Sequence, residues 1–128
     1  MESSVREKLD RLTSLEVRFK YADPEGYARC YTCHAIQPFR EMECGHFLSR
    51  QHLAIRFHED NVRVQCTDCN QFNNGKNEVF EDELRDEIGD EAVDNLYHLS
   101  KHGTPPSDTE IEQMITEKTL FLRENNVL

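Results

Sequence analysis

Two Cys-x-x-Cys pairs, Cys30-Tyr-Thr-Cys33 and Cys66-Thr-Asp-Cys69, constrain this chain more than any other feature. A two-residue gap lets a tight turn aim both thiolates at one ion. Two such turns complete a tetrahedron of four sulfurs, the donor set that selects Zn²⁺. Matched pairs point away from unconnected buried cysteines and from a single redox-active pair of the thioredoxin kind. Residues 34–65 form a longer span than a minimal zinc ribbon carries, so the metal would close a loop that itself holds something. The fifth cysteine, Cys44, reads as a small buried apolar residue beside a strand.

Thiols free to bind metal imply a reducing compartment. The start, Met1-Glu2-Ser3-Ser4, has no basic-then-apolar secretion signal, and no run is long enough to span a membrane. A cytoplasmic protein without membrane partners is expected. At 128 residues, 37% hydrophobic and without tryptophan, the chain has a thin apolar core for its length, and zinc would supply stability that burial cannot. The net charge of −10 argues at first against nucleic acid. Its distribution changes that reading. Residues 1–76 carry 11 Lys/Arg and 11 Asp/Glu, whereas residues 77–128 carry 4 and 14, which is the whole of the excess.

Helical spacing of Val5, Leu9, Leu12 and Leu15 predicts a helix over 4–15, and Asp23-Pro24-Glu25-Gly26 predicts a turn. From Cys30 to Cys69 no long helical period is present; short extended stretches are expected near Glu43–Leu48 and Asn61–Gln65. Asn73-Asn74-Gly75-Lys76 reads as a loop or a frayed helix start. Val79, Phe80, Leu84 and Ile88 fit a helix ending at Gly89, and Ala92, Val93, Leu96 and Tyr97 fit a second, broken by Gly103-Thr104-Pro105-Pro106. Ser107-Asp108-Thr109-Glu110 is a capping box opening a third, with Ile111, Met114, Ile115 and Leu122 inward.

Inside the zinc-closed loop lie Gly45-His46, then Asn61, then Asn70 directly behind the last zinc cysteine. A phosphodiester hydrolase built on one metal needs a neutral imidazole to take a proton from water and a side-chain carbonyl to hold that ring. It also needs an oxygen or nitrogen ligand to place a hard cation on the phosphate. His46, Asn61 and Asn70 supply these in that order, and asparagine ligands suit Mg²⁺ or Mn²⁺. Arg50, Arg56 and Lys76 flank the site and are candidates to bind phosphate. Of the other histidines, His34, His98 and His102 read as solvated; His52 and His58 also favour solvent-facing roles.

Gly45-His46 followed by Asn61-Val-Arg-Val-Gln-Cys66-Thr-Asp-Cys69-Asn70 resembles the HNH nuclease signature in its H-N-N form. Cys30 to Asn70 is also similar to the phage junction resolvases of the endonuclease VII type, which pair a four-sulfur zinc with a ββα-metal site. A fuller resemblance is to the lambda NinG (Rap) family of phage recombination nucleases. It rests on Gly45-His46-Phe47-Leu48-Ser49-Arg50, Arg56-Phe57, Gln65 to Asn70, Gly75-x-x-x-x-Phe80 and Gly89-Asp90-Glu91-Ala92-Val93, and covers about residues 27–124. The resemblance implies cleavage of branched DNA, such as Holliday junctions and D-loops, in a phage-infected or lysogenic bacterium. Most HNH enzymes carry an acid immediately before the base, where this chain has Gly45. The NinG-like proteins share the glycine and place an acid three residues before the histidine. That makes Glu43 the candidate second metal ligand, with Asn73 or Asn74 as substitutes.

The expected fold is α+β, a small zinc-bound ββα-metal module with additional N- and C-terminal helices. One domain is expected over 1–128, divided into an N-terminal helical segment (1–26), the module (27–77) and acidic helices (78–128). The acidic helices are most simply solvated faces, or else a seam for a homodimer or a barrier to ordinary duplex. The expected activity is metal-dependent hydrolysis of DNA. A non-catalytic zinc ribbon that binds nucleic acid or protein is the alternative, favoured by the missing acid at position 45.

Overall fold

Each cysteine pair sits at the end of a short antiparallel hairpin. In the first, β1 (Tyr27–Arg29) pairs with β2 (Ile36–Pro38), and Cys30–Ala35 forms the turn between them, closed by the Cys30 N–H to the Ala35 carbonyl at 2.8 Å. His34 takes a left-handed φ of 69° there. In the second, β3 (Glu43–His46) pairs with β4 (Val62–Gln65), with His46 opposite Val62 and Glu43 opposite Gln65. The Tyr31 N–H reaches the Val64 carbonyl at 2.9 Å and ties the two hairpins together. The computed structural model describes residues 3–128; Met1 and Glu2, at the start of the expected N-terminal segment, lie outside them.

Behind β4 the chain makes a widened π-helical turn (Asp68–Phe72) and then reverses through Asn74, Gly75 and Lys76, all with positive φ. Gly75 is buried, and its carbonyl accepts from the Gln65 amide at 2.9 Å. The helices follow as α2 (Asn77–Ile88), α3 (Asp90–His102) and α4 (Asp108–Glu124). Ser107 caps α4 through the expected box: its Oγ accepts from the Glu110 N–H at 3.2 Å, and the Glu110 carboxylate accepts from the Ser107 N–H at 2.9 Å. Helix α1 (Ser3–Lys20) runs a turn longer than the apolar spacing predicts, and Arg18 and Lys20 in its last turn suit the negative end of the helix dipole.

Four apolar clusters hold these pieces. Val17 on α1 packs with Ala28, Met42, Val62 and Val64 beside the cysteines. Phe47 and Ile55, from the loop between β3 and β4, pack with Phe80 and Leu84 of α2 and Val93 and Leu96 of α3. Leu9 meets Ile111, and Leu12 meets Leu122, so α1 lies along α4. The α1–α4 pair also carries an ion pair, Lys118 Nζ to Glu16 at 3.0 Å. Helix α2 is tied to the hairpins by Glu87, which accepts from the Tyr31 hydroxyl at 2.6 Å and from the buried Arg63 at 3.1 Å. The architecture is α+β, as expected; the β1–β2 hairpin is an addition, because three-residue strands leave no alternation to read.

Candidate metal centre and adjoining groove

The sulfurs of Cys30, Cys33, Cys66 and Cys69 all lie within 4.8 Å of one another, with Cys33 and Cys66 at 3.6 Å. A Zn–S distance of about 2.3 Å gives tetrahedral edges of about 3.8 Å, so the four thiolates fit one zinc ion. Donors around them favour negative sulfur. Burial alone would raise the Cys30 thiol, but the backbone N–H groups of Cys33, Thr32 and Cys66 and the Thr32 hydroxyl at 3.5 Å hold it down at about 6. Burial pushes Cys66 up to about 12, the response of one thiol in a crowd that needs a cation to ionise fully.

A groove of about 660 Å³ begins at Asn70, directly after Cys69, and is lined by Glu43, Cys44 and His46 from β3, Asn70 and Gln71 from the π turn, and Arg50. It continues past His46 and Asn70 to Asn74 and Asn77. The His46 ring is set by a backbone contact, Nε2 to the Arg56 carbonyl at 3.0 Å. A carbonyl only accepts, so Nε2 carries the proton and Nδ1 keeps the lone pair. Burial pulls the His46 pKa below the ordinary 6.5, so the ring is neutral at physiological pH. Cys44 shares the groove, but burial pushes its thiol up to about 12 and it stays protonated.

Glu43 is held by three donors: Asn70 Nδ2 at 2.8 Å, Thr67 Oγ1 at 2.9 Å and Gln71 Nε2 at 2.7 Å. Burial opposes its charge, yet these bonds and nearby Arg18 bring its pKa below the ordinary value. Because Asn70 donates through Nδ2, its Oδ1 remains an acceptor beside an ionised carboxylate. The absence of an acid at Gly45 has a steric cause: a Cβ there would fall 1.9 Å from Gln65 Oε1 and 2.6 Å from its Cδ. Gln65 is fully buried, and its Nε2 bonds both the Thr32 hydroxyl, at 3.0 Å, and the Gly75 carbonyl. Position 45 is bare because the side chain bracing the zinc turn occupies that space.

Two expected roles are corrected. Asn61 does not hold the imidazole; it is fully buried and clamps the β3–β4 loop, with Oδ1 accepting from the Leu48 N–H at 2.9 Å and Nδ2 donating to the Leu48 and Ile55 carbonyls at 2.9 and 3.3 Å. A short amide next to β4 reaches the loop backbone, and the ring finds its acceptor at Arg56 instead. Arg56 is not offered to phosphate: its Nε and Nη2 grip both carboxylate oxygens of Asp10 on α1, the Nε at 3.0 Å. Arg50 remains 64% exposed at the groove, 3.9 Å from Asp10. Asn74 lines the groove, whereas Asn73 caps the Asp68 carbonyl and Lys76 is exposed on the reversing turn.

The apolar spacing placed α1 as a helix but gave no sign that it borders the groove. Asp10, Arg11, Ser14 and Arg18 form a wall of the groove, joined by Arg40. The polar face of α1 is readable as a stripe at helical spacing, but the sequence does not say what it faces, because α1 meets β3 through long-range packing.

A family model described as the bacteriophage lambda NinG protein matches residues 7–125. No curated protein and no solved structure matches the chain. The match takes in α1 as well as both cysteine pairs, the groove and the helices up to the end of α4, so the chain belongs to the NinG family.

Proposed function

We propose that this protein is a metal-dependent endonuclease of the HNH type that hydrolyses DNA phosphodiesters, with His46 as the general base. The observation that carries this reading is the setting of His46: its Nε2 is committed to the Arg56 carbonyl, which leaves a neutral ring with a basic Nδ1 in the groove that Asn70, Glu43 and Arg50 also line. A base must be unprotonated at working pH and held in one tautomer, and this arrangement meets both needs. The succession of β3, β4 and the π-helical turn Asp68–Phe72 supports the reading, since such sites are built on two strands followed by a helix.

In the reaction, Nδ1 of His46 takes the proton of the attacking water. Asn61 acts at one remove, by fixing the loop that carries the Arg56 carbonyl. Arg50 neutralises a phosphate oxygen, and Lys76 contacts the backbone beyond. Asn70 Oδ1 and Glu43, with Asn74 at the margin, are the residues that would hold Mg²⁺ or Mn²⁺, whose charge would stabilise the phosphorane-like transition state and the departing 3′ oxygen. Zinc is structural. Selection of branched recombination intermediates follows from the resemblance to phage recombination nucleases.

Nicking of a labelled four-way junction and its matched duplex, with Mg²⁺ or Mn²⁺, tests the reading. Wild type should cut the junction, and His46→Ala, with normal zinc content, should lose at least about a hundredfold in rate, the low end of a general base's contribution. Equal inertness of two folded, zinc-loaded proteins would favour the non-catalytic zinc ribbon, the reading that the bare position 45 supports.

A further inference from the structure

The groove is more basic than the chain around it. Arg11, Arg18, Arg40 and Arg50 line it against two acids, Asp10 and Glu43, in a protein of net charge −10. Both acids are already engaged, Asp10 by Arg56 and Glu43 by Asn70, Thr67 and Gln71. The arginines are placed for an outside anion. Arg11 is exposed and has no hydrogen-bond or ion-pair partner among the described residues. Arg18 is braced by Ser14 Oγ at 3.1 Å and by the Phe39 and Arg40 carbonyls, which fixes its guanidinium in the groove wall. Arg40 is exposed, stacks on Phe39 and spends one nitrogen on the Val127 carbonyl at 3.0 Å.

Arg11 and Arg18 lie seven residues apart on one helix, a rise of about 10.5 Å. That is about three nucleotide steps at 3.4 Å of axis per phosphate on one strand. A free phosphate would need one such fork, whereas a row of them matches a polymer of phosphates. We propose that α1 is a nucleic-acid-binding element, in which Arg11, Arg18 and Arg40 hold the phosphodiester backbone of the strand running away from His46. The direction of that strand rests on the nuclease reading; the binding itself does not.

The test is fluorescence anisotropy of a labelled four-way junction and a labelled single strand, over a salt series, with zinc-loaded full-length His46→Ala protein. Arg11→Ala and Arg40→Ala should each weaken binding several-fold and lower the slope of log K against log salt by about one. Lys101→Ala, on the exposed end of α3, removes the same charge at a residue that lines neither stretch of the groove and should leave both values unchanged. Zinc content and circular dichroism of each variant establish that it is folded.

Groove variants that match Lys101→Ala, or a protein that binds neither probe, overturn the proposal. So does inorganic phosphate displacing both probes at millimolar concentration, which marks a small-anion site. If wild type nicks DNA while the variants match the control, the track fails and the nuclease reading stands. If binding depends on Arg11 while wild type never nicks, the track stands and the nuclease reading fails.

Discussion

In α2 and α3 the side chains removed from water are Phe80, Leu84, Val93 and Leu96, packed on Phe47 and Ile55; in and around the cysteine hairpins they include Thr32, Asn61, Arg63 and Gln65. Apolar burial is non-directional and tolerates small shifts. Buried amides, a guanidinium and four thiolates are directional, and each is costly to leave unpaired. The difference matches what each region has to do. On the proposed nuclease reading, the helices need only stay packed, whereas the hairpins must hold one imidazole, one carboxylate and one amide at fixed positions along a groove.

The largest effect should come from the metal. Structural zinc contributes on the order of 10 kcal/mol, comparable with the whole stability of a small domain. Chelation or Cys66→Ser should therefore abolish the cooperative unfolding transition followed by circular dichroism. An unchanged melting curve after proven zinc loss would mean that the hairpins are held without the metal. Leu84→Ala opens a cavity in the helical region and should cost about 3 kcal/mol by denaturant titration, with zinc affinity unaltered.

Asn61→Ala strands the Leu48 N–H and two carbonyls, for a loss of about 2–3 kcal/mol. It should depress nicking more than Leu84→Ala does at equal stability, because the loop carries the acceptor of His46. Equal activity in the two variants, matched for folded fraction, would mean that the loop clamp is only structural. Asp10→Asn weakens the grip on Arg56 by about 2 kcal/mol, read by thermal unfolding. Ser107→Ala removes a helix cap far from the groove; it should cost about 1 kcal/mol and leave nicking unchanged.

Legibility in the sequence follows the same division. The capping box at Ser107, the stop at Gly89 and the apolar stripes of α2–α4 are local signals, and the helices formed where they point. The four cysteines could be grouped because metal geometry fixes their spacing. The roles of Asn61 and Arg56 were not legible, since each depends on which partner lies nearest after folding: the Leu48 backbone for one, Asp10 of α1 for the other. Gly45 looked like a missing ligand and is the space that Gln65 fills. The wall built by α1 was hidden for the same reason, as a helix that ends at Lys20 gives no local sign that it faces a strand beginning at Glu43.

The proposed chemistry depends most directly on the state of the His46 ring. Long-range ¹H–¹⁵N NMR of the zinc-loaded protein, with His46 assigned by the His46→Ala spectrum, reports its tautomer and titration together. The contact to the Arg56 carbonyl predicts the Nε2–H tautomer, and burial predicts a pKa below 6.5. The sign carries through to stability: the unfolded chain takes up the proton first, so the contribution of His46 falls as pH drops from 6.5 to the folded pKa. An Nδ1–H tautomer, or a pKa above 6.5, would contradict the assignment of His46 as a base held by the Arg56 carbonyl.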